Sequence, residues 1–95
     1  MSRKTVVGTG GEVLMHQLVA QGVEYAFTNT GSAEAGFFDA FLTVPGVQPI
    51  LLLSESLVLS AADGYAKAAK KPAFVNVHLA AGTRQGSGQL QNAYF

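Results

Sequence analysis

The 95-residue chain contains no cysteine and no tryptophan, and only 13% of its residues are charged. Because cysteine is absent, disulfide bonds and thiolate chemistry are both excluded. Six basic residues balance six acidic ones, so no excess of positive charge is available to bind a nucleic-acid backbone or an anionic membrane surface. The longest unbroken apolar run, residues 50–53, is far shorter than a membrane span. We therefore expect a soluble, cytoplasmic protein that binds neither nucleic acid nor membrane.

What the chain does contain is a large apolar fraction. Hydrophobic residues make up 48% of the sequence, which is enough to build a packed core. A chain of this length forms at most one domain, and a short one for a protein that combines helices with parallel strands. No internal repeat, linker or low-complexity segment indicates a second domain.

Hydrophobic periodicity predicts helices and strands in alternation along the chain. The predicted helices cover residues 12–21, 33–42, 55–69 and 89–95. The predicted strands cover residues 23–27, 48–53 and 73–78. Residues 79–88 contain three glycines and are predicted to form a loop. With right-handed crossovers, this order gives an α/β fold: a three-layer parallel sheet with helices on both faces.

Local signals mark where these elements begin and end. Thr9 and Ser54 are predicted N-caps, Gly22 is predicted to end the first helix and Pro72 to stop the third. Residues 48–53 form a nearly continuous apolar stretch, which indicates a strand with both faces covered.

The number of strands sets an expectation about the extent of the domain. About three strands are few for a parallel sheet of this class, and the chain stops inside a predicted helix without a terminating glycine. We therefore expect residues 1–95 to be the N-terminal part of a truncated domain that is incomplete at its C-terminus.

Three separate stretches of sequence are predicted to converge on one edge of the sheet. Ligands of open parallel sheets bind beyond the carboxyl ends of the strands. Here those ends lead into residues 28–32, 54–55 and 78–83. They bring Ser32, Glu55 and His78 to a common rim, which is the candidate site.

Each of these residues also has a purely structural interpretation. Glu55 in the first turn of a helix could only complement the helix dipole, a contribution of about 0.3–1 kcal/mol. Ser32 could serve as an N-cap or a turn residue. His78 could be a hydrogen-bonded structural histidine at the end of a strand. The residue pattern by itself leaves both interpretations open.

Other motif-like stretches do not complete a known site. The glycines at 8 and 10 lack the third glycine of the dinucleotide-binding fingerprint. Residues 82–86 lack the Gly-Lys-Ser/Thr ending of a phosphate-binding loop. No His and carboxylate cluster has the spacing of metal ligands, so no metal site is predicted within this chain.

Several short motifs, taken in order, resemble those of a known family. They lie at residues 22–27 (GVEYAF), 29–32 (NTGS), 54–56 (SES), 61–66 (AADGYA), 72–78 (PAFVNVH), 82–83 (GT) and 91–93 (QNA). Together they resemble the N-terminal, pyrimidine-binding domain of thiamine diphosphate-dependent enzymes. The closest similarity is to the 2-oxo acid decarboxylases of the benzoylformate decarboxylase type, within the acetolactate synthase superfamily. The resemblance extends from about Thr9 to the end of the chain.

The resemblance implies roles for the residues of the rim. A glutamate at the position of Glu55 hydrogen-bonds the aminopyrimidine ring nitrogen of thiamine diphosphate and favours the imino tautomer, which deprotonates the thiazolium carbon. The activated cofactor then serves as the electron sink for decarboxylation of a small 2-oxo acid. Ser32 and His78 correspond to residues that contact substrate and relay protons. Asn29, Thr30 and Gly31 correspond to the backbone that approaches the cofactor.

The resemblance also implies what this chain does not supply. In the family, the diphosphate and its Mg²⁺ are held by a second domain that belongs to another subunit, through a Gly-Asp-Gly…Asn motif that is absent here. The full-length protein is therefore expected to be a homodimer or homotetramer, and the 95 residues alone are expected to be inactive.

Two departures from the family pattern bear on the substrate. Thr30 stands where the family usually has proline, and Ser54 stands where it often has a large polar residue before the glutamate. An acetolactate synthase-like carboligase, which shares the cofactor activation, is thus an alternative. A third possibility is a non-catalytic fragment or assembly module that docks through its small-residue helix, residues 56–69.

Overall fold

The computed structural model describes residues 5–29, 31 and 35–94, which form four helices and three strands. In chain order these are α1 (Gly10–Ala20), β1 (Tyr25–Thr28), α2 (Ala35–Thr43), β2 (Gln48–Leu51), α3 (Glu55–Ala69), β3 (Phe74–Asn76) and α4 (Leu79–Tyr94). The predicted alternation of helices and strands is confirmed, and α3 begins and ends at the predicted residues.

The three strands form one parallel sheet with the order β2-β1-β3. Tyr25 pairs with Gln48 across β1 and β2, and Ala26 pairs with Phe74 across β1 and β3. Because all three strands run in the same direction, their carboxyl ends lie at one edge of the sheet. The predicted α/β class with a parallel sheet is confirmed.

Helices cover both faces of this sheet and give it two hydrophobic cores. Consecutive strand residues point to opposite faces, so Ala26 and Phe27 belong to different cores. The first core lies under α1 and α2 and contains Met15, Leu18, Ala26, Ala40, Val44 and Val47. The second lies under α3 and contains Phe27, Val58, Leu59 and Ala62. The three-layer arrangement follows directly from this alternation.

The start of α1 is fixed by a capping box. The Thr9 hydroxyl accepts a hydrogen bond from the Glu12 backbone N–H at 3.2 Å, and Glu12 Oε1 accepts one from the Thr9 backbone N–H at 2.9 Å. The pKa of Glu12 is lowered below its ordinary value of 4.5. The largest cause is the hydrogen bond from the Thr9 backbone N–H, and hydrogen bonds from the hydroxyls of Thr43 and Thr9 contribute less. The ionised carboxylate therefore stabilises the folded chain.

This capping interaction predicts an acid-dependent loss of stability. Because the pKa of Glu12 is lower in the folded than in the unfolded chain, its contribution is present above about 4.5 and is lost as the pH falls through the folded value. Glu12→Gln keeps an acceptor at the cap but removes the charge. Urea unfolding should show the variant less stable near neutral pH, with the difference shrinking as the pH falls below about 4.5. Parallel stability curves for the two chains would contradict this explanation.

The prediction that both faces of the second strand are covered is wrong within the described structure. Leu51 is 64% exposed and Leu53, just beyond the strand, is 89% exposed, whereas Ile50 and Leu52 pack against the second core. β2 lies at an edge of the sheet, where it pairs only with β1 among the strands described, and the described helices leave the side chains of Leu51 and Leu53 largely uncovered. A continuous apolar run correctly predicts the strand, but it does not indicate whether other elements cover both of its faces.

The prediction of a loop over residues 79–88 is also wrong, because α4 runs without interruption from Leu79 to Tyr94. Glycine in a helix interior costs about 0.5–1 kcal/mol relative to alanine, which is why three glycines indicated a loop. In the structure, Gly82 and Gly86 are buried against α3. Close packing of the two helices offsets the unfavourable propensity.

Candidate active site

Asn29 joins the carboxyl ends of all three strands. Its backbone N–H donates to the Asn76 carbonyl oxygen at 3.2 Å, and its side-chain Nδ2 donates to the Leu52 carbonyl oxygen at 2.8 Å. The three ends are therefore held together at the edge where the sequence placed the candidate site. The structure thus places Asn29 on this rim, and its role in cofactor binding stays a prediction.

A second polar pair lies directly beside it. Thr28 Oγ1 donates to Asn76 Oδ1 at 3.2 Å, and Thr28 is almost completely buried, with 1% of its surface exposed. Asn76 was not among the predicted site residues. The signal that could have identified it is the polar side chain at the end of an otherwise apolar strand, adjacent to a predicted site residue in space but not in sequence.

Glu55 occupies the first turn of α3, directly after its N-cap Ser54, whose hydroxyl accepts from the Leu57 backbone N–H at 3.5 Å. Only 9% of Glu55 is exposed. Within the described part of the chain, no hydrogen bond reaches its carboxylate, although the oxygens keep some contact with solvent. A carboxylate in this state can accept a hydrogen bond from a ligand.

The first turn of α4 packs against this carboxylate. A β-carbon added to Gly82 would lie 2.8 Å from Glu55 Oε2. The carboxylate is therefore close to the N-terminal ends of two helices, α3 and α4, both of which favour negative charge. This arrangement accounts for a largely buried acidic side chain that has no cationic partner among the described residues.

His78 lies between β3 and α4, close to the same glycine. Its carbonyl oxygen accepts from the Gly82 backbone N–H at 2.9 Å. Its imidazole lies against the backbone of Gly31, where a β-carbon would overlap the ring. The rim therefore brings Asn29 and Gly31 together with His78, and Gly82 connects His78 to Glu55.

A left-handed residue makes this close arrangement possible. Leu79 has a φ of 57°, a conformation that costs a residue with a β-carbon about 1–3 kcal/mol. It turns the chain sharply, so that α4 begins immediately after His78. Strain of this kind is concentrated at functional sites, and here it lies directly after His78 in the chain.

Two predicted site residues, Thr30 and Ser32, lie outside the described residues. In the remainder, the structure brings together Asn29, Gly31, Glu55 and His78. No group of three or more His, Asp or Glu side chains that could hold a metal ion occurs in residues 5–29, 31 and 35–94. In those residues, too, no helix has the length and hydropathy needed to cross a membrane.

Two cavities lie away from Glu55. One, of about 590 Å³, is lined by Ala80, Ala81, Thr83, Arg84 and Ser87 on the outer face of α4. The other, of about 340 Å³, lies between α3, β3 and α4 and is lined mainly by apolar residues such as Leu59, Val75 and Leu90. Neither is lined by Glu55 or His78, which lie on an open rim.

A parallel sheet with a buried carboxylate, an imidazole and a bridging asparagine at its carboxyl edge is typical of an α/β ligand-binding domain. Residues 8–95 match the family described as "Thiamine pyrophosphate enzyme, N-terminal TPP binding domain". The chain belongs to this family. The cofactor that the family implies is thus thiamine diphosphate.

Similar proteins include enzymes of both expected types. The chain is 41% identical over 92 residues to benzoylformate decarboxylase of Pseudomonas aeruginosa, covering 97% of this chain and 16% of that protein. It is 40% identical over 84 residues to IlvX of Mycobacterium tuberculosis, a candidate acetolactate synthase large subunit, covering 88% and 16%.

A solved structure is similar as well. It is the X-ray structure of a candidate thiamin diphosphate-dependent enzyme from Mycobacterium smegmatis, which matches with a TM-score of 0.74 and 36% identity over 86% of this chain and 16% of that one. The chain thus spans about 16% of the length of the curated relatives and of this structure.

Proposed function

We propose that this chain supplies the pyrimidine side of the active site of a thiamine diphosphate-dependent 2-oxo acid decarboxylase, with Glu55 as the activating carboxylate. The observation that carries the proposal is the state of Glu55. It is buried at the carboxyl rim of a parallel sheet, it lies at the N-terminal ends of two helices, and its carboxylate receives no hydrogen bond from the described residues.

The residues present fit an aminopyrimidine ring. Glu55 can accept a hydrogen bond from a ring nitrogen, and its carboxylate lies near the N-terminal ends of two helices. When bound, thiamine diphosphate supplies the electron sink that a decarboxylation requires. The proposed task of Glu55 is to hold a proton at the ring nitrogen, with Gly82 packed against its carboxylate.

We propose that two other rim residues contact the substrate and that a third holds the stretch of backbone that approaches the cofactor. His78 presents an imidazole, a group that can take part in proton transfer, next to the Gly31 backbone. Ser32 is proposed to contact the substrate carboxylate. Asn29, together with Thr30 and Gly31, is proposed to form the stretch of chain that approaches the cofactor, since Asn29 fixes the start of that stretch to both neighbouring strands.

The remainder of the site is proposed to lie outside these 95 residues. A second domain would hold the diphosphate through Mg²⁺, and a homodimer or homotetramer would bring it against Glu55. Leu53 and Leu57 flank Glu55 in sequence and are 89% and 50% exposed, which is consistent with a surface that another domain covers. The cytoplasmic location stays a prediction.

The division of the site predicts the binding behaviour of the isolated chain. If the diphosphate and Mg²⁺ ligands lie elsewhere, the 95-residue chain should show no measurable affinity for thiamine diphosphate in isothermal titration calorimetry with Mg²⁺ present. The aminopyrimidine contact alone provides one hydrogen bond and a small buried area, too little to offset the cost of association. A dissociation constant in the micromolar range would contradict this division of the site.

The test of the function itself is cofactor-dependent release of carbon dioxide by the complete enzyme from a panel of aliphatic and aromatic 2-oxo acids. We expect release that disappears when thiamine diphosphate is removed and returns when it is added back. If none of the acids yields cofactor-dependent carbon dioxide, the proposal fails.

A carboligase of the acetolactate synthase type is the second candidate, because the chain is as similar to IlvX as to benzoylformate decarboxylase, at 40% and 41% identity. The products separate the two functions. A decarboxylase releases one aldehyde for each carbon dioxide, whereas a carboligase adds the acyl group to a second carbonyl compound and yields a 2-hydroxy ketone from an aldehyde or a 2-acyl-2-hydroxy acid from a second 2-oxo acid. Mass spectrometry of the products distinguishes the two.

A further inference from the structure

We propose that Gly82 is the positioning residue for Glu55: its lack of a side chain leaves the space in which the Glu55 carboxylate is held at the rim. This inference rests on the proposed function for its catalytic meaning, but its structural part concerns the described residues alone. It adds to the site a residue of α4 that acts through the Glu55 side chain.

The contact is specific to the end of the Glu55 side chain. A β-carbon on Gly82 would lie 2.8 Å from Oε2, 3.0 Å from Cγ and 3.1 Å from Cδ of Glu55. All three distances are shorter than ordinary van der Waals contacts. The atoms that would have to move belong to a flexible side chain rather than to backbone, so rotation of the carboxylate is the easiest response to an added methyl group.

The position of Gly82 is in turn fixed by hydrogen bonding. Its backbone N–H donates to the His78 carbonyl oxygen at 2.9 Å, and the left-handed Leu79 turns the chain between the two residues. Gly82 cannot shift away from Glu55 without breaking the first turn of α4. One glycine therefore couples the location of His78 to that of the Glu55 carboxylate.

The next glycines along α4 provide matched controls. A β-carbon on Gly86 would lie 2.7 Å from Leu59 Cδ2 and 3.4 Å from the Glu55 carbonyl oxygen, so it would disturb a core leucine and leave the carboxylate alone. A β-carbon on Gly88 would meet nothing within 4 Å. The three Gly→Ala substitutions thus make the same chemical change on one helix with three different contacts.

The test measures how accessible the Glu55 carboxylate is in the protein without any cofactor. The native chain and the variants Gly82→Ala, Gly86→Ala and Gly88→Ala are treated with a water-soluble carbodiimide and an amine, and labelling is quantified by peptide mass spectrometry. Exposed Asp39 serves as the internal reference. Thermal melting, followed by circular dichroism, reports on stability.

We expect Gly82→Ala to raise the labelling rate of Glu55 several-fold relative to Asp39 while the chain stays folded. Gly86→Ala should lower the melting temperature because Leu59 is displaced, with Glu55 labelled as in the native chain. Gly88→Ala should raise the melting temperature, because alanine is the better helix former, and leave Glu55 unchanged.

Three outcomes would overturn the proposal. They are an unchanged Glu55 rate in Gly82→Ala, an equal increase in all three variants, or unfolding of Gly82→Ala with every carboxylate labelled alike. Unfolding counts against the proposal because it would show that the added methyl group disrupts helix α4 instead of displacing the Glu55 side chain.

The catalytic consequence is measured separately in the complete enzyme. Displacement of a catalytic group by about 1 Å can cost about 10²-fold in rate, and we expect a loss of that order for Gly82→Ala in cofactor activation, with cofactor affinity little changed. If Glu55 is exposed in Gly82→Ala and yet Glu55→Gln itself leaves activation unchanged, the positioning holds and the proposed function fails. The two ideas can therefore fail independently.

Discussion

Glu55→Gln is expected to slow hydrogen–deuterium exchange at the thiazolium C2 of thiamine diphosphate bound to the complete enzyme by about 10²–10⁴-fold, the usual contribution of a positioned acid–base group. Glutamine matches glutamate in shape, so it should occupy the same space against Gly82. It cannot share a proton with a ring nitrogen in the way that a carboxylate does. The measurement is quenched-flow NMR of the bound cofactor.

Glu24→Gln is the matched control for this experiment. Its side chain is 64% exposed and pairs with Lys71 at 2.7 Å on the protein surface, away from the rim. The exchange rate in this variant should equal that of the native enzyme. A native-like rate in Glu55→Gln, or an equal loss in both variants, would show that Glu55 is not the activating carboxylate.

Met15→Ala is expected to lower the free energy of unfolding by about 2–5 kcal/mol, because a fully buried side chain is replaced by a cavity. Met15 has no exposed surface and lies in the core between α1, α2 and β1. A domain of this size has about 5–15 kcal/mol of stability in total, so this one substitution removes a large part of it. Urea unfolding of the purified chain provides the measurement.

Leu14→Ala is the control for that substitution on the same helix. Leu14 is 41% exposed, so its truncation removes fewer packing contacts and should cost clearly less. Equal losses for the two variants would indicate that α1 does not pack on the sheet in the orientation described. Because Met15 and Glu55 lie on elements that cover opposite faces of the sheet, the two large predictions test independent parts of the structure.

The parts of the fold that local signals determine were predictable from the sequence. Thr9 and Ser54 are small polar residues immediately before apolar-periodic segments, and both cap the helices that follow. The place of Glu55 at the rim follows from the same signal, because a residue after an N-cap that ends a strand–helix turn must lie at the carboxyl edge of a parallel sheet.

The parts that tertiary contacts determine were not predictable in the same way. Gly82 and Gly86 read as loop residues because glycine is a poor helix former, and only their packing against Glu55 and Leu59 explains a helix there. Their spacing of four residues, which places both on one helix face, is the signal that could have indicated it. The exposure of Leu51 depends on where β2 lies in the sheet. The composition of a single strand does not indicate its place in the sheet.

The central claim is that Glu55 faces the aminopyrimidine ring, and the most direct test is a crystal structure of the complete enzyme with thiamine diphosphate and Mg²⁺. We predict a Glu55 carboxylate oxygen at hydrogen-bond distance, about 2.6–3.2 Å, from a pyrimidine ring nitrogen, with Gly82 against the other side of the carboxylate. A ring nitrogen bound by a different residue, with Glu55 turned away from the cofactor, would contradict the proposed role.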